Sequence, residues 1–156
     1  MTSISHSCFV YRISHFIKRF STFQRRFHCM ITYIKGSIAE LTPTEVVIEA
    51  AGVGYSIAIS LSTFAALQGK ESARVYVTEV IREDAHLLFG FYCKQERTLF
   101  EALTSVNGIG GQTARMVLSA FSPTELTEII QGEQTAMLKS VKGIGPKAAA
   151  RIVLDL

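Results

Sequence analysis

Val106-Asn107-Gly108-Ile109-Gly110-Gly111-Gln112 and Val141-Lys142-Gly143-Ile144-Gly145-Pro146-Lys147 are two copies of one pattern, set 35 residues apart. The register extends beyond the glycines: Leu103 matches Leu138, Ser105 matches Ser140, Ala114 matches Ala149 and Leu118 matches Val153. So many matched positions make the pair a structural repeat rather than a coincidence of composition.

Glycines two apart allow a tight turn with positive backbone dihedrals and carry no side chain to hold a ligand away from the main chain. Ile109 and Ile144, between them, read as apolar plugs that tie each turn to a core. Helices are expected to restart at Gly111 and at Pro146, where a missing N–H costs nothing in the first turn. Free N–H groups at a helix start, backed by the positive end of its dipole, suit phosphate. The candidate contact residues are Asn107, Gly108, Gly110, Gly111, Gln112 and Arg115 in the first copy. In the second they are Lys142, Gly143, Gly145, Pro146, Lys147 and Arg151. A Gly-x-Gly turn between helices can be plain punctuation, but two copies in register, the second also flanked by Lys139, point to nucleic acid. The first copy is the less basic, with Gln112 where the second has Lys147. Neither copy is a dinucleotide fingerprint, since the third glycine falls at Thr113 or Ala148 and no strand precedes the turn. No Gly-Lys-Ser/Thr of a phosphate-binding loop occurs.

The chain has 156 residues, 48% of them hydrophobic, enough for one ordinary domain or two small ones with packed cores. Its formal charge of +3 is uneven. Residues 1–29 hold Arg12, Lys18, Arg19, Arg25 and Arg26 and no acid, so from Met30 onward 11 Lys and Arg face all 13 Asp and Glu. Binding to a polyanion must therefore rest on local patches and backbone amides. Cys8 and Cys29 lie in this leader and only Cys93 beyond it; without Cys-x-x-Cys or Cys/His spacing, no metal or other cofactor is expected, and the compartment is read as reducing and intracellular. No apolar run approaches the ~18 residues of a membrane span. The Ser- and Arg-rich leader has the composition of an organellar transit peptide. A start at Met30 competes with that reading and is favoured, because Met30-Ile31 opens directly into a strand pattern; either way the leader is expected to lie outside the fold.

From Met30 to Tyr92 the pattern is β. Apolar clusters at Ile31 to Ile38, Val46 to Ile48, Val53 to Ile59, Val75 to Ile81 and Leu87 to Phe91 give five strands, with Gly52 and Gly54 bounding a tight second connection. One helical turn at Ser62 to Leu67 after the third strand suggests an OB-type barrel over residues 30–92. From Cys93 the period becomes helical, through Leu99, Phe100, Leu103 and Val106. Ser122-Pro123 with Glu125 starts a short connector helix that Gly132 ends. The expected class is α+β: a five-stranded OB-type barrel followed, over residues 93–156, by an all-α tandem of helix-hairpin-helix units.

Between the fourth and fifth strands stands Arg82-Glu83-Asp84-Ala85, two carboxylates at a hairpin tip. Acids are ordinary in such turns. With Val80-Ile81 before it, Leu88-Phe89-Gly90-Phe91 and Lys94-Gln95-Glu96-Arg97-Thr98-Leu99-Phe100 after it, and then the two hairpins, the set closely resembles the RuvA family, the Holliday-junction-binding subunits of the bacterial branch-migration complex. The resemblance covers Met30 to Leu156.

The resemblance implies a homotetramer that holds a four-way DNA junction open and nearly planar, each subunit gripping one arm through its hairpins without reading sequence. Glu83 and Asp84, with Arg82 beside them, match the family's acidic pin, a wedge that repels phosphates at the crossover. The subunit is non-catalytic, ATP hydrolysis belonging to the RuvB motor; RuvC resolvase is a further family partner. Gln112 and Pro146 stand where family members often carry lysine. The family continues into a small helical third domain that contacts RuvB, which is expected to be absent from a chain that stops at Leu156; coupling to RuvB is then expected to be lost if this is the whole product, and nothing follows for the intact protein if it is a fragment. Two other classes compete. An enzyme using the hairpins as a grip would need a ligase Lys-x-Asp-Gly or a catalytic acid after the second hairpin; a protein-interaction module would show no salt-dependent DNA binding.

Overall fold

The computed structural model describes residues 30–81 and 83–156. The leader, and the transit-peptide and alternative-start readings attached to it, lie outside the described residues, as does Arg82.

Five strands, β1 (Tyr33–Leu41), β2 (Glu45–Ala50), β3 (Val53–Ile59), β4 (Ser72–Ile81) and β5 (His86–Phe91), close into a barrel in the order β1-β2-β3-β5-β4. All pairs are antiparallel except β3 with β5, which run parallel at Ala58–Phe89 and Ile59–Gly90. The parallel pair follows from α1 (Leu61–Leu67), which carries the chain across the barrel end before β4. The β2–β3 connection is tighter than the glycine spacing implied. Ala50 pairs with Val53, so the turn is Ala51-Gly52 alone, both at positive φ (53° and 79°) as a right-twisted two-residue hairpin requires. Gly54 lies inside β3 opposite Glu49.

Alternation on the strands sends Ile34, Val46, Ile48, Ile57, Ile59, Val75 and Val77 inward, with Leu67 of α1 beside them. Strand β5 is apolar on both faces. Gly90 faces the filled interior, where an added Cβ would lie 2.5 Å from Ile57 and 2.6 Å from Val75. Phe89 and Phe91 point outward and join the helical core.

The helical half consists of α2 (Lys94–Ser105), α3 (Gly111–Ala120), α4 (Pro123–Gln131), α5 (Thr135–Lys139) and α6 (Pro146–Asp155). Phe100 of α2 stacks against Phe89 and Phe91, each with its ring centroid 4.9 Å away. The hydrophobic core therefore runs from β5 into the helices without a break at residue 92. Polar contacts also hold the halves together. The Ser62 hydroxyl donates to the Leu118 carbonyl (2.8 Å), and the Leu61 N–H to the Ser119 hydroxyl (3.1 Å). Helix α4 begins with a capping box between Ser122 and Glu125 and ends at Gly132, as its start and stop residues dictate. The bond from the Ser122 N–H holds the Glu125 carboxyl below its ordinary pKa.

Candidate nucleic-acid interface

The two Gly-Ile-Gly segments fold into the same turn twice. In the first, the Val106 N–H donates to the Leu103 carbonyl (3.1 Å) and the Ile109 N–H to Val106 (3.0 Å); in the second, Val141 donates to Leu138 (3.2 Å) and Ile144 to Val141 (3.1 Å). Gly108 and Gly143 both sit at φ 92°, a conformation that strains any side-chain-bearing residue. The second glycines do not share this need, contrary to the expectation from sequence. Gly110 (φ −88°) and Gly145 (φ −82°) are extended N-caps of α3 and α6, open to any residue.

Their glycine identity has other causes. A Cβ on Gly145 would meet nothing within 4 Å, so the fold leaves the space outside this corner empty. The first intrahelical bonds run from Ala114 to Gly110 (2.9 Å) and from Ala149 to Gly145 (3.0 Å), which leaves the preceding amides of each helix without a helical acceptor. Gly108, Gly143 and Gly145 are exposed, while Ile109 and Ile144 are buried as anchors. These corners can therefore present main-chain donors and the positive ends of two helix dipoles to an anion. Lys139, Lys142 and Lys147 stand exposed around the second corner.

Several residues expected to reach a ligand also make contacts within the protein. Gly111 is buried: a Cβ there would stand 2.7 Å from the Phe89 ring, so close packing against the barrel accounts for this glycine. Arg115 donates to the Ile59 carbonyl (3.0 Å), the Thr44 carbonyl (3.2 Å) and the Gln112 side chain (3.2 Å), clamping α3 to the barrel. Arg151 donates to the Asn107 carbonyl (3.2 Å). That bond sets the first turn beside α6, and the Met116 side chain beneath Gly143 adds a second link between the hairpins, 3.2 Å from where a Cβ would be. The repeat itself held a signal for these roles: Arg115 matches Ala150 and Arg151 matches Met116, so both arginines break the register.

The pair Glu83 and Asp84 lies exposed between β4 and β5, as the hairpin-tip reading requires. Sequence reasoning missed Glu96. This buried carboxylate of α2 accepts from the Ser60 hydroxyl, which also caps α1, and from the Thr63 hydroxyl (2.8 Å), whose oxygen accepts from the Tyr92 N–H (3.0 Å). Burial pushes its pKa up, and the bonds from Ser60, Thr63 and Tyr92 offset part of that rise. Among the described residues no three His, Cys, Asp or Glu side chains converge on a metal position, and no helix is long and apolar enough to cross a membrane.

Residues 30–90 match the RuvA N-terminal domain, and residues 100–156 match the SAM-like helix-hairpin-helix tandem. The chain is 58% identical over 127 residues to a Bacteroides fragilis protein named as the Holliday junction branch migration complex subunit RuvA, covering 81% of this chain and 63% of that one. Proteins of the same name from Porphyromonas gingivalis and Cytophaga hutchinsonii are 55% and 46% identical over the same length, with 63% and 64% of their chains covered. The chain thus spans a little under two thirds of these relatives.

Proposed function

Because the chain belongs to the RuvA family, we propose that it binds four-way Holliday junctions, without sequence preference, as the structural subunit of a branch-migration complex in homologous recombination and repair. The observation that carries this reading is the repeated corner at Gly108–Gly110 and Gly143–Gly145, with closely matching backbone dihedrals and an open approach to Gly145. Two such corners side by side suit two stretches of sugar-phosphate backbone, because main-chain donors and dipoles recognise phosphate and not base edges. Asn107, Gly108, Gly110, Lys142, Gly143, Gly145, Pro146 and Lys147 form the contact surface. Gln112 and Arg151, both exposed, add to that surface while each also makes one hydrogen bond within the protein, and Gly111 and Arg115 support it through their packing and hydrogen bonds against the barrel.

The subunit acts as a homotetramer in the cytoplasm. Its Glu83 and Asp84 stand at the crossover as a wedge whose negative charge repels phosphate and keeps strands apart, with Arg82 beside them in the sequence. It carries out no chemistry of its own, and ATP hydrolysis belongs to a RuvB-type motor, with a RuvC-type resolvase acting on the same junction. Barrel, residues 30–92, and hairpin tandem, residues 93–156, divide the work between the crossover and the arms. A gel shift comparing a four-way junction with linear duplex of equal length, at two salt concentrations, tests the reading. Preference for the junction at both salts is expected; equal affinity for the two DNAs would overturn it.

A further inference from the structure

On the outer wall of the barrel, away from both glycine corners in sequence, three cations lie against three tyrosine rings. Lys70 Nζ is 4.3 Å from the Tyr92 centroid, at its hydroxyl edge, where it donates to the hydroxyl (2.6 Å); Arg74 is 4.8 Å from the Tyr33 centroid and Lys94 Nζ 5.7 Å from that of Tyr76. Lys70, Arg74, Tyr76 and Tyr92 also line an open concavity of about 370 Å³. Tyr33 pairs directly with Tyr76 across β1 and β4, and Lys35 directly with Arg74. Like charges facing each other across a strand pair destabilise it. Among the described residues the ion pairs are Glu79 with His86 and Glu101 with Arg97, so no carboxylate lies within 4.0 Å of any of these four cations. In a body where acids outnumber bases, this wall concentrates positive charge and leaves it without an internal counterion.

We propose that this wall is a second nucleic-acid site, selective for single-stranded DNA. Phosphates would neutralise Lys35, Lys70, Arg74 and Lys94, relieving the facing Lys35–Arg74 pair. Unstacked bases would lie on Tyr33 and Tyr92, which are 49% and 41% exposed. A duplex keeps its base faces stacked and could use only the charges; a single strand uses charges and rings together, which is why the partner is a single strand. This site is independent of the hairpin corners and does not need the junction reading.

The test measures fluorescence anisotropy of a labelled oligothymidylate with the full chain, over a range of salt. Arg74→Glu places a carboxylate opposite Lys35, which should leave the melting temperature unchanged or raised while single-strand affinity falls roughly ten-fold. Removing two phosphate contacts with Lys70→Ala and Arg74→Ala should lower the salt slope by about 1.4. Tyr33→Leu should weaken oligothymidylate about ten-fold with an unaltered slope. In all of these, four-way-junction affinity stays within about two-fold, as expected for sites that share no residue, whereas Lys147→Ala weakens the junction and spares the single strand. Unchanged single-strand affinity in Arg74→Glu and Tyr33→Leu would overturn the inference, as would a change in oligomeric mass in its place, which would make the wall a contact between copies.

Discussion

Gly143 and Gly145 are two residues apart and chemically identical, yet the fold needs only one of them. At Gly143 the backbone is held at φ 92°, so alanine there costs about 1 to 2 kcal/mol of strain, with the Met116 side chain crowding the new methyl. At Gly145 the dihedrals are ordinary and the space is empty. Gly145→Ala is therefore expected to melt within about 0.5 kcal/mol of the parent, because removing glycine's unfolded-state freedom offsets little else. It should nonetheless bind junction DNA several-fold more weakly, since the methyl occupies the approach to the amides. Thermal melts paired with junction titrations check this; a Gly145→Ala protein with full DNA affinity would detach the corner from binding. Gly111 stands third in its run of glycines and has yet another reason for existing, the ring of Phe89. Sequence shows all of these as the same letter, and only the atoms around each one separate conformation, access and packing.

At the scale of elements, α1 and α2 are joined through Glu96, whose two carboxylate oxygens accept from Ser60 and Thr63. Replacing it with alanine would leave two buried hydroxyls without an acceptor, at about 1 to 3 kcal/mol apiece. Its pKa is raised by burial, so the folded state favours the protonated form. The stability this adds is complete below the unfolded carboxylate range and is lost as pH rises through the raised folded value. Glu96→Gln, which cannot ionise, is expected to flatten that part of the stability profile, measured as denaturant midpoints from about pH 4 to 8. An unchanged profile would show that Glu96 is not the group responsible. Glu125 has the opposite sign: its carboxyl is held down by the Ser122 cap, so its contribution fades as pH falls through the lowered value. The cap is legible in the chain as Ser-Pro-x-Glu, because a capping box is local. Glu96 is not, since Ser60 and Thr63 lie 36 and 33 residues away.

For the whole molecule the proposed grip on DNA depends on the balance of charge. Basic side chains gather around the second corner and on the barrel wall, while Glu83 and Asp84 project exposed from the β4–β5 turn. If these acids face phosphate at a crossover, they oppose binding while they separate strands. Replacing both with glutamine and asparagine should leave junction affinity equal or higher, the gain shrinking as salt screens the repulsion. A clear loss of affinity, measured by titration at low and moderate salt, would remove the wedge assignment. The arginines behave differently at this scale from their appearance in sequence. Arg115 spans from α3 to the carbonyls of Thr44 and Ile59, and Arg151 from α6 to Asn107. Each holds one element against another, Arg115 through two bonds and Arg151 through one.

The barrel, the five helices of the second half and the twin corners are legible along the chain, because each is written in short-range chemistry: alternation at period two, helical spacing, caps, and glycine where φ must be positive. That the corners come in register is equally legible, since a repeat is visible without coordinates. Folding alone settles which glycines stand open and which are packed, which arginines bond to carbonyls of other elements, and that Phe89 and Phe91 carry the core out of the barrel into the helices. It also gathers Lys70, Arg74, Lys94 and their tyrosines onto one wall. The cause is the same in every case. Local conformation depends on neighbours along the chain, whereas burial, counterions and hydrogen-bond acceptors are supplied by residues that only folding brings near.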